Sequence, residues 1–267
     1  MSDSMSNSMP KDSDRHTPAS ATASATTAPA AQVSATPAAE PGAQSTSQTL
    51  QHFGRPVLVC RWRLFAQSLP LENRHLRALS RRCVQGSQVD THLVAWAKQH
   101  IEWTLFTGAV DHPHGVLMLV IDEEGQAAMT VGEFSPLENP SFELLCARAQ
   151  TAAIEAAHTG VAPESMWAFF DGVLYWGAGE FESPSGANSL VLDLAKTLGI
   201  AVVRKPSLLQ EIQDGASDFT ELCLVSDEHG IVCDRAHAGS MTTRLCEYYK
   251  RLLAAEEKKT RMQHKHA

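Results

Sequence analysis

No part of this chain stays apolar for long. The strongest run, Val116 to Ile121, has six residues, whereas a membrane-spanning helix needs about 20. A basic-then-apolar leader is also missing from the first residues, so the expected location is the cytoplasm, with no membrane partner. Positive charge is in deficit: 22 Lys and Arg stand against 30 Asp and Glu, a net charge of -8, with a pI near 5.8. Nothing global would draw in a polyanion, and nucleic acid is excluded as a general partner. Cys60, Cys83, Cys146, Cys223, Cys233 and Cys246 include no CxxC pair. That excludes the commonest zinc spacing and suits reduced thiols. Lysine is absent from the whole interval between Lys98 and Lys196. Residues 1–50 have almost no large apolar side chains. Their Ala, Ser, Thr and Pro content cannot bury enough surface to offset the entropy of ordering, so a disordered tail is expected there.

The remaining residues alternate between strand and helix signals. Val57 to Phe65 reads as a strand and Leu71 to Cys83 as a helix. Thr91 to Thr107 reads as a packing helix, and Gly115 to Val131 as a hairpin around an acidic turn. Phe142 to Thr159 has a face of small residues and stops at Gly160, a strong helix pattern. Met166 to Trp176 folds back at Asp171-Gly172, the best hairpin signal in the chain. Ala187 to Leu198 forms a helix face closed by Gly199. Ile200 to Val203, Leu208 to Ile212 and Glu221 to Val225 then alternate strand, helix and strand, and Thr242 to Met262 is a charged amphipathic helix. The fold class is α+β or α/β. Its expected parts are a small lobe at residues 51–135, a larger one at 136–255 and a frayed tail at 256–267.

The chemistry of most interest lies at Pro184 to Ser189, where a helix start presents free N–H groups beside small hydroxyl and amide side chains. Such a start holds an anion, phosphate above all, or is simply a capped helix. Other clusters have plainer readings. The seven arginines between Arg55 and Arg82 fit a solvated face. His112 and His114 lack a third metal ligand at useful spacing, and Asp227 to Gly230 makes a good turn.

In order along the chain, several segments resemble class IV aminotransferases, the fold-type IV pyridoxal-phosphate (PLP) enzymes that include branched-chain aminotransferase, D-amino-acid aminotransferase and aminodeoxychorismate lyase. LENRHLRALS, Leu71 to Ser80, is similar to the family's HxxRL helix with one residue lost. Val116 to Gly125 looks like its arginine-containing strand and turn, without the arginine. Asp171 to Glu180 is similar to the turn, strand and Gly-rich segment that leads to the cofactor. Gly186-Ala187-Asn188-Ser189 stands where the family has GITR, and the strand from Glu221 runs into its second phosphate loop at Ser226. The resemblance implies a two-lobed fold, a homodimer, and a PLP phosphate held by Arg77, Gly186, Ala187, Asn188, Ser189 and Ser226. It also implies an amino-acid or aminodeoxychorismate-like ligand.

The departures concern catalysis. The family's Schiff-base lysine precedes the helix matching Phe142 to Thr159, where this chain has Ser141 or a neighbour, and serine forms no aldimine. Trp176 stands near the expected acid, with Glu180 close by. Asp227 stands where a phosphate-binding hydroxyl is usual, and its carboxylate would repel a dianion. About seventeen residues are missing before Pro184 relative to the family pattern. The expectation is a degenerate member of the family to which PLP is not covalently attached. The alternatives are an active transaminase or lyase using Lys98, Lys196 or Lys205, or a non-enzymatic scaffold or regulatory protein.

Overall fold

The computed structural model describes residues 53–215 and 219–264. The tail expected over residues 1–50 lies outside them. The first sheet is built from β1 (Pro56–Arg63), β4 (Val116–Asp122) and β5 (Ala127–Gly132), antiparallel in the order β1-β4-β5. Alternation along β1 sends Leu58, Cys60 and Trp62 inward, where they meet Leu117, Leu119 and Ile121. α1 (Glu72–Leu79) and α2 (Thr91–Gly108) complete this core through Leu76, Leu79, Ala97 and Ile101. Asp90 caps α2 by accepting from the His92 N–H at 2.6 Å. Between the two helices, β2 (Cys83–Val84) and β3 (Ser87–Gln88) form a short hairpin with no apolar alternation long enough to mark it in the sequence.

The second sheet has the order β10-β9-β6-β7-β8. Its members are β6 (Glu164–Phe170), β7 (Val173–Trp176), β8 (Ala201–Arg204), β9 (Glu221–Ser226) and β10 (Gly230–Val232). β6 and β7 are the hairpin expected at Asp171-Gly172. Both turn residues take positive φ, 48° and 77°, which Asp and Gly tolerate better than bulkier residues. β7 and β8 run parallel, so the chain must cross over between them, and α4 (Gly186–Thr197) makes that crossing. Where only a polar turn was expected after Ser226, β10 adds a short antiparallel edge strand.

α3 (Phe142–Thr159) has the bounds read from the sequence, because both of its ends are chemically marked. Ser141 accepts from the Leu144 N–H at 3.2 Å, and Gly160 closes the helix at φ 78°. Its small residues Ala149 and Cys146 pack with Met166, Leu208 and Leu224, the second of these on α5 (Leu208–Gln213). α6 (Ser240–His264) lies against β9 and β10 and inserts Leu245 into the core of Trp167, Val191 and Val225. No helix among the described residues is long and apolar enough to cross a membrane.

Leu224 is fully buried where α3 meets the second sheet. Leu224→Ala should cost about 3 kcal/mol through lost burial and the cavity left behind. Phe106→Ala, at an 83% exposed position, should change stability by less than about 0.5 kcal/mol. Denaturant midpoints of the two variants check both values.

Candidate anion cradle at the start of α4

The β7–α4–β8 crossover sets the first turn of α4 beyond the end of β7, and two other strand ends converge there. Ser226 ends β9 opposite Glu164, the first residue of β6. The start of α4 is anchored from below by a buried polar network. Ser185, wholly buried, caps the helix through its hydroxyl, which accepts from the Asn188 N–H at 3.3 Å and from Asn188 Nδ2 at 3.1 Å. Asn188 Oδ1 accepts from Ser165 Oγ and from Trp167 Nε1, both at 2.8 Å, and Trp176 Nε1 donates to Ser165 Oγ at 3.0 Å. Trp167 and Trp176 stack with ring centroids 5.5 Å apart. All three polar side chains are therefore occupied in joining α4 to β6 and β7.

The N–H of Ala187 has a different partner. It donates to Asp227 Oδ1 at 2.7 Å, a bond between residues forty positions apart in which both groups are buried. The other carboxylate oxygen, Oδ2, lies 3.6 Å from Nδ1 of His75 on α1. That is too long for a hydrogen bond, so the attraction is electrostatic. His75 is 2% exposed and stacks on Trp62, and its Nδ1 makes no hydrogen bond. A Cβ at position 186 would collide with the imidazole, so glycine is what lets α1 close over this helix start. The backbone of Asp227 is tied down as well: its N–H donates to Pro163 O at 3.1 Å, and its carbonyl accepts from the Arg63 N–H at 3.2 Å. Burial pushes the Asp227 carboxyl up, but His75, the Ala187 amide and Arg82 together hold it below the ordinary aspartate value.

Beside this point opens a cleft of about 430 Å³, lined on one side by Val59, Ala147 and Pro163 and on the other by paired charges. Arg61 forks onto Glu228 at 2.6 and 2.7 Å, and Arg148 forks onto Glu164 at 2.8 and 2.5 Å. Ser226 Oγ donates to Glu164 Oε1 at 2.7 Å and accepts from the N–H groups of Glu228 and His229. Both guanidinium groups facing the cleft are thus matched by the chain's own carboxylates.

The residues expected to surround one phosphate do not all meet. Gly186 and Ala187 lie at the helix start. Asn188 points into the sheet network, Ser226 faces Glu164, and Ser189 turns to α1, where Arg74 Nη1 donates to its hydroxyl at 3.1 Å and also pairs with Asp193 at 2.8 Å. Arg77 is exposed, on the side of α1 opposite the buried His75, Leu76, Ala78 and Leu79. The helix period puts Arg74, not Arg77, beside α4. Glu180, considered as an acid for the pyridine nitrogen, is exposed. His75 was legible only as part of a helix motif, since its role depends on α1 folding back onto a glycine more than a hundred residues away. His114 stands edge-on to Phe65, and no group of three or more His, Cys, Asp or Glu among the described residues is arranged to hold a metal.

No family model matches the sequence, and no curated protein does. Solved structures do match the fold. A hypothetical aminotransferase from Mycobacterium tuberculosis in its PLP-bound form aligns at TM-score 0.51 and 10% identity, over 81% of this chain and 95% of that one. A putative 4-amino-4-deoxychorismate lyase from Legionella pneumophila gives TM-score 0.48 and 12% identity, over 80% and 96%. The branched-chain amino acid aminotransferase from Escherichia coli gives 0.46 and 12%, over 76% and 86%. The chain has a diverged class IV aminotransferase fold, that of the fold-type IV PLP enzymes.

The residues at the start of α4 do not fit a PLP phosphate. The Ala187 amide is spent on Asp227, and a dianion about 4 Å from that carboxylate would meet repulsion on the order of 4 kcal/mol per unit charge. Asp227→Asn keeps the shape and removes the charge. At pH 7 it should lower stability by about 2 kcal/mol. Because the folded-state pKa of Asp227 is depressed, its contribution is complete above the ordinary aspartate value and is lost as pH falls through the folded value. The stability-against-pH curve of the Asn variant should therefore be flatter on its acid side, as measured by urea unfolding at a series of pH values.

Proposed function

We propose that this protein keeps the class IV aminotransferase architecture without its Schiff-base chemistry, as a non-catalytic member of that fold group. The observation that carries the reading is the position of the lysines. Lys98, Lys196, Lys250 and Lys258 are exposed. Lys196 follows Gly186 by ten positions on α4, about 15 Å along the helix from its first turn. Lys205 is held by Glu211 at 3.0 Å and lies over the Tyr175 ring. A Schiff base needs an amine that reaches the aldehyde carbon while the phosphate sits in its cradle, and none of these five amines is buried beside the start of α4. The filled cradle supports the same conclusion from the phosphate side. Homodimer formation, implied by the resemblance, stays part of the reading because architecture rather than chemistry would set it.

The test is to incubate the full chain with PLP, record its visible spectrum, reduce with borohydride and weigh the intact protein. The expected result is no saturable absorbance band, with only scattered substoichiometric adducts on exposed lysines. One adduct per chain at a single lysine, with a spectral change on adding an amino acid, would contradict the proposal.

A further inference from the structure

We infer that the first turn of α4 is a working oxyanion site whose resident anion is the Asp227 side chain, and that the site accepts a small free carboxylate or phosphate once that side chain is withdrawn. This deepens the proposed reading and rests on it in one respect, that a residue of the chain and not a cofactor is the native occupant.

Two independent features give the site its affinity. One is the Ala187 N–H, aimed out of the start of a twelve-residue helix whose dipole favours negative charge. The other is His75, whose unpartnered Nδ1 is buried at 2% exposure and faces the same point. Among the described residues the Asp227 carboxylate is what accepts from the Ala187 N–H and faces His75 Nδ1; Ser185 and Asn188 are committed to each other and to the sheet, and Ser189 to α1. Arg82, 2% exposed and paired with Glu155 at 2.6 Å, adds positive potential that Asp227 feels. The cradle walls are α1, α4 and the end of β1, which are also joined by contacts that do not involve the Asp227 side chain: α1 packs along α4, and the Arg63 N–H donates to the Asp227 backbone carbonyl.

The side chain of aspartate beyond its Cα has the same heavy atoms as acetate, so Asp227→Gly leaves a vacancy of acetate's size and charge preference. In the full chain, acetate at about one hundred times its dissociation constant should raise the Tm of Asp227→Gly by roughly 5–10 °C. Equal concentrations of chloride should not. Wild type and Asp227→Asn, whose sites are filled, should gain nothing from acetate. Adding His75→Phe to Asp227→Gly should reduce the acetate shift at least several-fold. Inorganic phosphate is run in parallel, and rescue by either anion supports the inference while reporting the size of occupant the cradle takes. If Asp227→Gly does not fold in chloride, recovery of its far-UV signal in acetate or phosphate becomes the readout. Rescue by neither anion while Asp227→Asn folds normally would overturn the inference, as would an equal response in wild type. A PLP adduct on the wild-type chain would instead defeat the non-catalytic reading, so the two failures are distinguishable.

Discussion

A buried carboxylate needs compensation, and the way Asp227 obtains it governs the centre of this molecule. Its Oδ1 takes the Ala187 amide in the first turn of α4, its Oδ2 faces His75 of α1, and its backbone bridges Pro163 before β6 and Arg63 at the end of β1. One residue thus gathers two helices, α1 and α4, and one strand end from each of the two larger sheets. Removing a charge of this kind costs several kcal/mol only if its partners are left unpaired, and here they would be: an amide in the first turn of α4 and a buried imidazole with no hydrogen bond on Nδ1. The arrangement explains why Gly186 has no room for a Cβ and why α1 can press so closely on the start of α4.

The same interaction separates architecture from chemistry. The crossover from β7 through α4 to β8 presents a helix start to anions, and that feature belongs to the fold rather than to any reaction. In this chain the feature is satisfied internally. The neighbouring cleft repeats the pattern, with Arg61 and Arg148 each forked onto a glutamate and Ser226 held by Glu164. Charges that would recognise a ligand are instead used to hold β1, α3 and the end of β9 together. Asn188, hydrogen-bonded to Trp167, Ser165 and Ser185, stabilises the helix start from within the core, with its amide nitrogen turned to Ser185.

Much of the fold was legible in the sequence wherever local chemistry marks an element at both ends. Ser141 and Gly160 bracket α3, Asp171-Gly172 fixes the β6–β7 turn, and Ser185 opens α4. β2, β3 and β10 were missed because strands of two or three residues carry no periodicity of their own. The site was legible only in part. Gly186 and Ala187 stand where their pattern suggested, and the conflict between Asp227 and a phosphate was visible from charge alone. Arg77, which the resemblance implies beside the phosphate, lies on the exposed side of α1, and it is Arg74 that reaches α4; a motif with a one-residue deletion does not preserve helix phase. The His75–Gly186 contact joins residues 111 positions apart (186 − 75) and the Asp227–Ala187 bond residues 40 apart, which no local pattern encodes.

The most direct check is a crystal structure of the full chain grown with PLP and phosphate in excess. The account expects the Asp227 carboxylate within hydrogen-bond distance of the Ala187 nitrogen, His75 packed against Gly186, and no phosphate at the first turn of α4. A phosphate group bound to the Ala187 amide, with Asp227 swung out of the cradle, would contradict it.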